Sequence, residues 1–390
     1  MNNKNESLSS CARRVPTSGT MRMAVLAKEL EVKGKKIIHL GIGEPNFQTP
    51  KKIIEAAYQA MNDGKTGYTT SRGILPLREK IAEVHMKDTA VDINPKENVI
   101  LTPGAKASLF AAIVSILDPS DNMVVVSPYW PSYEGIAQFI GATTKSVQAH
   151  YDDFGFPSET IKEAIDKNTK ILLINSPSNP TGVIYDLESL KFISDISTDN
   201  DLYIITDEIY KKIVFEGKYH QYLSVSKSLE RTLVIDGFSK SHAMTGWRIG
   251  YTIGNKEIIS AMNKIQQNVS TCVNTPTQYA ALKAIELEEP TRKMVQEYKQ
   301  RRDKAIELIE QCDNFSCRKP DGAFYLFIKY DADIESEDLV LKILQEAGVA
   351  VTAGSVFSVD EKYFRLSLAS EMEDILEGLR RIDDLITKIK

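Results

Sequence analysis

The sequence lacks the features that mark membrane-spanning, secreted or general nucleic-acid-binding proteins. No uninterrupted apolar run reaches the length of about eighteen residues that a membrane-spanning helix needs. The first ten residues are polar and contain no apolar segment of the kind found in secretory signals. With 48 Lys plus Arg against 53 Asp plus Glu, the net charge of −5 supplies no general positive field for nucleic acid. We therefore expect neither a membrane nor a nucleic acid as a partner.

Cysteine is scarce, and the four cysteines are scattered: Cys11, Cys272, Cys312 and Cys317. Only Cys312 and Cys317 lie close together in the sequence, and no second cluster of Cys or His completes a four-ligand zinc site. This usage excludes a disulfide-stapled miniprotein and favours reduced thiols. We therefore expect a cytoplasmic protein without a metal site.

The sequence does contain the pattern of an α/β protein. Its 390 residues are 42% apolar and 26% charged, and a length of roughly 100–200 residues per domain predicts two or three domains. From about residue 50, short apolar segments alternate with amphipathic windows, which predicts a mostly parallel sheet covered by helices on both faces. The predicted strands are Asn98–Thr102, Met123–Ser127, Ile171–Asn175, Leu202–Thr206, Thr232–Asp236 and Ile249–Ile253. The predicted helices are Ala105–Leu117, Tyr133–Ile140, Ser158–Ile165 and Leu187–Thr198.

The pattern changes after Pro290, where a long amphipathic helix is predicted over 291–311. Mixed elements follow it: Phe324–Ile328, Val349–Thr352 and Tyr363–Leu368 as strands, and Asp338–Ala347 and Glu373–Lys388 as helices. An N-terminal arm with a predicted helix over Met21–Leu30 joins this smaller α+β part. We therefore predict an arm and small-domain segment over 1–48, a large α/β domain over 49–290, and a small C-terminal α+β domain over 291–390.

The segment with the most candidate chemistry runs from Gly237 to Tyr251 and follows a predicted strand. This order places Lys240 at the carboxyl edge of the sheet, where α/β proteins bind ligands. Small neighbours such as Ser239 leave room around an amine that can form a Schiff base with a carbonyl group. Arg248 offers a guanidinium fork for a phosphate. Considered alone, the segment is equally compatible with a solvated surface lysine.

Three other loops follow predicted strands and carry polar groups. Asn179 stands in Asn-Pro-Thr-Gly, which is a turn signal in its own right. Asp207 ends the next strand, and Tyr210 follows it by three residues. A carboxylate at this place can hold a pyridinium nitrogen, or can simply cap the next helix. Thr102–Lys106 opens a helix whose first N–H groups can cradle a phosphate.

Taken together and in this order, these motifs resemble the class I aminotransferases, the aspartate-aminotransferase-like branch of fold-type I pyridoxal-phosphate enzymes. The resemblance runs from about Arg14 to Lys390 and rests on the Lys240 segment, Asn179-Pro-Thr-Gly and Asp207-x-x-Tyr210. It implies a large cofactor-binding domain with a seven-stranded sheet and a smaller domain.

The resemblance also implies how the chain would hold pyridoxal 5'-phosphate. Lys240 would be the catalytic residue that binds the cofactor covalently and then moves the proton. Asp207 would pair with the ring nitrogen, Asn179 and Tyr210 would bind the ring oxygen, and Trp130 would stack on the ring. The remaining implied cofactor contacts are Gly104, Ala105, Lys106, Ser239, Arg248 and, from the partner of a homodimer, Tyr68. Related enzymes also use cis peptide bonds at positions matching Ser127–Pro128 and Asn179–Pro180.

For the substrate, the resemblance implies that Arg365 forks the α-carboxylate, helped by the Gly43 backbone, Asn179 and Trp130. Lys106, and with it Arg14 on the N-terminal arm near Ser18, matches a pattern associated with acidic or prephenate-like substrates. The implied activity is a ping-pong aminotransferase of amino acid metabolism and biosynthesis that uses aspartate or glutamate with a 2-oxo acid such as 2-oxoglutarate.

Several functions remain alternatives at this point. The same fold can act on alanine, aromatic acids or prephenate. It can also support a pyridoxal-phosphate carbon–sulfur lyase, which releases pyruvate and ammonia. A non-catalytic regulator that only binds the cofactor is a further alternative, although the chain has no spare domain for binding DNA.

Overall fold

A computed structural model describes residues 8–15, 19–150, 153–359 and 362–390. In chain order its strands are β1 Ile38–His39, β2 Val99–Thr102, β3 Asn122–Ser127, β4 Thr143–Gln148, β5 Thr169–Asn175, β6 Tyr203–Asp207, β7 Thr232–Gly237, β8 Gly250–Gly254, β9 Phe315–Cys317, β10 Tyr325–Tyr330, β11 Val349–Ala350, β12 Thr352–Ala353 and β13 Tyr363–Ser367. They form three sheets, of seven, four and two strands.

The seven-stranded sheet has the order β2-β8-β7-β6-β5-β3-β4. Its strands run in one direction except β8, which is antiparallel to both of its neighbours. The predicted mostly parallel α/β architecture is therefore confirmed. Because β5, β6 and β7 are parallel neighbours, the loops that follow them emerge at the same edge of the sheet.

Fourteen α-helices occur among the described residues and surround these sheets. They are α1 Ser10–Arg14, α2 Gly19–Val32, α3 Lys51–Asn62, α4 Leu75–Thr89, α5 Ala105–Ile116, α6 Ser132–Ile140, α7 Ser158–Ala164, α8 Leu187–Asp199, α9 Leu223–Ser226, α10 Lys256–Val269, α11 Thr275–Ala284, α12 Glu289–Ile309, α13 Ser336–Lys342 and α14 Met372–Ile389. None of the helices that the structure describes is long and apolar enough to cross a membrane.

Apolar packing on both faces of the large sheet explains why its central strands were recognisable in the sequence. Every residue of β3 is buried, and in β5 only Lys170 is exposed. One apolar cluster takes Val124, Leu172 and Ile204 from one face, and another takes Val125, Leu173 and Ile205 from the other. Such strands become continuous apolar runs, as expected for a sheet covered by helices.

Three details differ from the sequence predictions. The single strand predicted over Val349–Thr352 is split into β11 and β12, which belong to different sheets. Strand β4 was missed because it lies at the sheet edge, where only Val147 is buried, so its sequence Thr-Thr-Lys-Ser-Val-Gln carries no apolar run. The helix predicted over Asp338–Ala347 is instead α13 followed by one π-helical turn, Ile343–Ala347.

The arm and the C-terminal part share one apolar core. The four-stranded antiparallel sheet has the order β12-β13-β10-β9, and β1 pairs in parallel with β11. Met23 and Leu40 from the N-terminal side lie in the same buried cluster as Val349 and Leu379. This packing brings the segment after β1 to the carboxyl edge of the large sheet. The boundaries of the domains stay a prediction.

Candidate functional site

A cavity of about 560 Å³ lies at this carboxyl edge. Eleven of the residues singled out in the sequence line it: Gly43, Ala105, Lys106, Trp130, Asn179, Asp207, Tyr210, Ser239, Lys240, Arg248 and Arg365. They come from the segments after β1, β2, β3, β5, β6 and β7, including the start of α5, from the last residue of β6 and from β13. The fold therefore gathers residues that are up to 322 positions apart, from Gly43 to Arg365, around one space.

Lys240 follows β7 by three residues and directs its amine into this cavity. Its Nζ donates to the backbone oxygen of Gly43 over 2.5 Å. Burial, with help from the positive charge of Arg365, lowers the pKa of Lys240 from 10.5 to about 8. At pH 7 roughly a tenth of this amine is therefore neutral, far more than for a lysine with the ordinary pKa of 10.5, and the neutral form is the one that attacks a carbonyl group.

Asp207 is the last residue of β6 and is buried. Its Oδ2 accepts a hydrogen bond from the Tyr133 hydroxyl over 2.8 Å, and its Oδ1 accepts one from the Ile209 N–H over 3.2 Å. Burial raises the pKa of Asp207 to about 6, while these two donors act in the opposite direction. The result is a carboxylate that ionises near neutrality and faces a cavity where a cationic ring nitrogen can meet it.

Arg365, on β13, fixes the orientation of Asn179. Its Nη1 donates to Asn179 Oδ1 over 2.9 Å, and its Nη2 donates to the Gly41 oxygen over 2.7 Å. Since a guanidinium group only donates, the amide oxygen of Asn179 must face Arg365, which leaves the amide NH₂ as the donor for a ligand. Arg365 is only 3% exposed, and its Nε has no partner in the described part of the chain.

Asn175 ties the same loop to the neighbouring strand. Its Oδ1 accepts a hydrogen bond from the backbone N–H of Asn179 over 2.8 Å, and its Nδ2 donates one to the backbone oxygen of Asp207 over 2.9 Å. The Ser127–Pro128 and Asn179–Pro180 bonds are cis, as predicted, and Ser176–Pro177 is cis as well.

The start of α5 forms an anion cradle with Arg248. Gly104 has φ +83°, which favours glycine, and a Cβ there would lie 2.5 Å from Nη2 of Arg248, so a side chain at this position would displace the guanidinium group. The first N–H groups of α5, from Ala105 and Lys106, have no acceptor within their own helix. Unpaired N–H groups at a helix start beside a guanidinium group are suited to a phosphate.

Lys106 and Trp130 form one wall of the cavity. Lys106 Nζ lies 4.7 Å from the centre of the Trp130 ring, within the range of a cation–π contact. Partial burial and the charge of Arg248 lower the pKa of Lys106 from its ordinary value of 10.5. Lys106 thus presents a cation to the cavity, close to Arg248.

Two of the singled-out side chains lie elsewhere. Tyr68 is 88% exposed and does not line the cavity of its own chain. Arg14 donates to the backbone oxygens of Gln138 and Phe139 over 2.9 and 3.2 Å, at the C-terminal end of α6. Ser18 lies outside the described residues. The roles that the resemblance implies for Tyr68 and Arg14 stay predictions.

Three residues of the site were missed in the sequence: Tyr133, Asn175 and Tyr325. All three line the cavity and hydrogen-bond to singled-out residues. The Tyr325 hydroxyl, for example, lies 2.8 Å from that of Tyr210. Asn175 could have been found from its place at the end of a predicted strand. The hydroxyl contacts of Tyr133 and Tyr325 join residues 74 and 115 positions apart in the sequence, so no local sequence pattern predicts them.

Comparisons with known proteins agree with this geometry. The family model described as aminotransferase class I and II matches residues 35–382. The (5-formylfuran-3-yl)methyl phosphate transaminase of Methanocaldococcus jannaschii is 42% identical over 371 residues, covering 94% of this chain and 96% of the relative. The aspartate aminotransferase of Thermotoga maritima is 39% identical over 373 residues, covering 95% and 97%. A crystal structure of aspartate aminotransferase from Thermotoga maritima has a TM-score of 0.93 at 38% identity, covering 97% of this chain and 100% of that one.

Proposed function

The chain belongs to the class I and II aminotransferases, and we propose that it moves the amino group of aspartate or glutamate to a 2-oxo acid such as 2-oxoglutarate by a ping-pong mechanism. The observation that carries this proposal is the single cavity that holds Lys240, Asp207 and Arg365. It combines an amine with a lowered pKa, a buried carboxylate and a buried guanidinium group. Transamination of an amino acid needs all three: the amine as a base, the carboxylate as a partner for the cofactor ring, and the guanidinium group to bind the substrate carboxylate.

The family uses pyridoxal phosphate, and the residues of this cavity fit that group. The Gly104 cradle with Arg248 suits its phosphate, and Asp207 suits its ring nitrogen. We propose that Lys240 holds it covalently, that Asn179 and Tyr210 bind its ring oxygen, and that Ser239 and Trp130 complete the contacts. When bound, the cofactor supplies a protonated ring that withdraws electrons from the substrate Cα.

The chain's own residues then bind the substrate and move one proton. Arg365 holds the α-carboxylate through its guanidinium group, and its contact with Gly41 and Asn179 fixes the plane of that group. The Lys240 amine would accept the proton from the substrate Cα and deliver it to the C4′ carbon of the cofactor. Asp207 stays ionised, with Tyr133 as donor, so that the ring nitrogen keeps its proton.

Lys106 supports the choice of a dicarboxylic substrate. Arg365 can hold only one carboxylate, so a second cation must bind the other. Lys106 is an exposed residue that lines the same cavity, and its Nζ lies over the Trp130 ring at the cavity wall. The alternative is that Lys106 only neutralises a phosphate near Arg248 or faces solvent.

A second candidate substrate is an aldehyde that carries a phosphate. The relative that is 42% identical is named for (5-formylfuran-3-yl)methyl phosphate, which has a formyl group and a phosphate but no carboxylate. Lys106 could then face that phosphate. Arg365 would still be needed for the amino acid that supplies the nitrogen.

We also propose a homodimer with composite sites. A second cavity of about 710 Å³ shares Glu44, Thr245 and Arg248 with the first and opens next to the phosphate cradle. It offers a route by which the exposed Tyr68 of one subunit could reach the cofactor phosphate of its partner. A cytoplasmic location is supported by the four cysteines, all of which are free.

A panel of amino donors against acceptors, assayed on the purified protein, tests the proposed substrate. The proposal expects the highest kcat/KM for aspartate or glutamate with 2-oxoglutarate. A higher kcat/KM for alanine, aromatic acids, prephenate or the furan phosphate aldehyde would replace the substrate assignment. Release of pyruvate and ammonia without amino transfer would identify a lyase, and binding without turnover would identify a regulator.

A further inference from the structure

Tyr325 is the first residue of β10 and lies at the centre of the site without a role in the chemistry described above. It is 1% exposed and contacts residues from three different parts of the chain. Its ring lies against Arg365, its hydroxyl meets Tyr210, and it fills the space that a side chain at Gly43 would occupy. Each of these neighbours has its own proposed contact with substrate, cofactor or Lys240.

The first contact fixes the guanidinium group. The Arg365 guanidinium carbon lies 4.4 Å from the Tyr325 ring centre and 4.9 Å from that of Phe357. A planar cation close to two aromatic rings, with its Nη1 bonded to Asn179 and its Nη2 bonded to Gly41, has little freedom to tilt. The direction from which a carboxylate can approach Arg365 is therefore set in part by Tyr325.

The second contact joins two hydroxyl groups, and its direction follows from what Tyr210 has to do. The Tyr210 and Tyr325 oxygens are 2.8 Å apart, and either could donate. If Tyr210 gives its hydrogen to the cofactor ring oxygen, its own oxygen must accept from Tyr325. A hydroxyl that accepts one hydrogen bond becomes a stronger donor in the next, because chained hydrogen bonds polarise one another.

We propose that Tyr325 is a positioning residue that couples the carboxylate-binding face of Arg365 to the hydrogen bond that Tyr210 makes with the cofactor ring. The inference rests on the proposed function of the site. Tyr325 itself touches neither the reacting atoms nor the transferred proton in this arrangement. It acts through Arg365 with its ring and through Tyr210 with its hydroxyl.

The two actions are separable by substitution. Tyr325→Phe removes only the hydroxyl, and Tyr325→Leu removes the ring as well. Tyr330→Phe is a matched control, since Tyr330 is buried and on the same strand but does not line the cavity. Its hydroxyl donates to the backbone oxygen of Ile334 over 2.7 Å.

The decisive readout is the pH at which the visible absorbance of the bound cofactor titrates. Loss of the Tyr325 hydroxyl weakens the Tyr210 bond, which leaves more negative charge on the ring oxygen. That charge holds the proton on the lysine-bound nitrogen more tightly, so the midpoint should rise by roughly half a unit in Tyr325→Phe. The other charged groups facing this region are unchanged by the substitution: Glu44, Lys106, Asp207, Lys240, Arg248 and Arg365.

Steady-state kinetics supply the second readout. In Tyr325→Phe, kcat with aspartate should fall about three- to tenfold while KM stays within about twofold, because the ring still supports Arg365. In Tyr325→Leu, KM for substrates with an α-carboxylate should rise in addition. Tyr330→Phe should leave the midpoint, kcat and KM as in the wild type.

The outcomes separate this inference from the function on which it rests. If the wild-type protein does not transfer an amino group, the proposed function fails and the inference falls with it. If the wild type is active and Tyr325→Phe keeps its absorbance midpoint and its kcat, the proposed function stands and the inference is overturned. A Tyr325→Leu variant that fails to fold leaves the decision with Tyr325→Phe, whose ring fills the same space.

Discussion

Tyr133, in the first turn of α6, donates its phenolic hydrogen to Oδ2 of Asp207, the last residue of β6, over 2.8 Å. Without a donor, a carboxylate as deeply buried as Asp207 would take up a proton more readily. The bond therefore helps keep Asp207 ionised where a cationic ring nitrogen has to be held. It also fixes which way the carboxylate turns, because Oδ1 is taken by the Ile209 N–H.

Replacing Tyr133 with Phe should shift how cofactor binding depends on pH. The pKa of Asp207 is already raised to about 6 by burial, and loss of the Tyr133 donor raises it further. Protonated Asp207 cannot pair with a cationic ring nitrogen, so binding should weaken below a higher pH in the variant than in the wild type.

At pH 6 we expect the cofactor to bind Tyr133→Phe about three- to tenfold more weakly, measured by equilibrium titration of the cofactor-free protein. Tyr330→Phe, which loses a hydroxyl outside the cavity, serves as the control. If binding of the cofactor weakens below the same pH in Tyr133→Phe as in the wild type, Tyr133 does not act on Asp207.

The rate at which Lys240 captures the cofactor should report its lowered pKa. Burial penalises the charged amine and so lowers the pKa of Lys240 from 10.5 to about 8. Only the neutral amine attacks, and the rate should therefore rise about tenfold per pH unit below 8 and level off above it. Stopped-flow absorbance on cofactor-free protein measures this. A rate that keeps rising to pH 10 would indicate an amine with an ordinary pKa.

Lys106→Ala should discriminate between substrates. A charge-assisted contact with a distal carboxylate contributes about 1.5–3 kcal/mol, so kcat/KM for aspartate should fall roughly ten- to hundredfold while that for alanine changes little. Lys264→Ala, at an exposed lysine on α10, is the control. Equal losses on both amino acids would place Lys106 at the phosphate and not at the substrate.

Composite sites predict that two inactive variants rescue each other. Tyr68→Ala and Lys240→Ala homodimers should each be impaired, but a mixed dimer contains one site with an intact Lys240 and an intact Tyr68 from its neighbour. Activity should therefore rise when the two are mixed and allowed to exchange subunits. Activity equal to the mean of the separate variants, or a fully active monomer by sedimentation, would contradict this arrangement.

Much of the architecture was predictable because it follows local rules. The central strands of the large sheet are buried on both faces, so their residues form apolar runs that end in polar loops. Lys240, Asp207 and Asn179 were found because each stands at the end of such a run or within four residues after it. Strand β4 was not, because an exposed edge strand needs no apolar pattern.

What the sequence could not supply is the set of contacts between distant side chains. The bonds from Arg365 to Asn179 and from Tyr325 to Tyr210 join segments that meet only after the C-terminal part has packed against the large sheet. Arg14 illustrates the same limit, since its guanidinium group lies at the end of α6 in this structure.

The most direct test of the account is to locate the lysine that holds the cofactor. The protein loaded with pyridoxal phosphate is reduced with borohydride, digested, and the tagged peptide identified by mass spectrometry. The account predicts a single tag on Lys240 that is absent from Lys240→Ala, together with a loss of turnover of about a hundred- to ten-thousandfold in that variant. A tag on another lysine in the wild-type protein would contradict it.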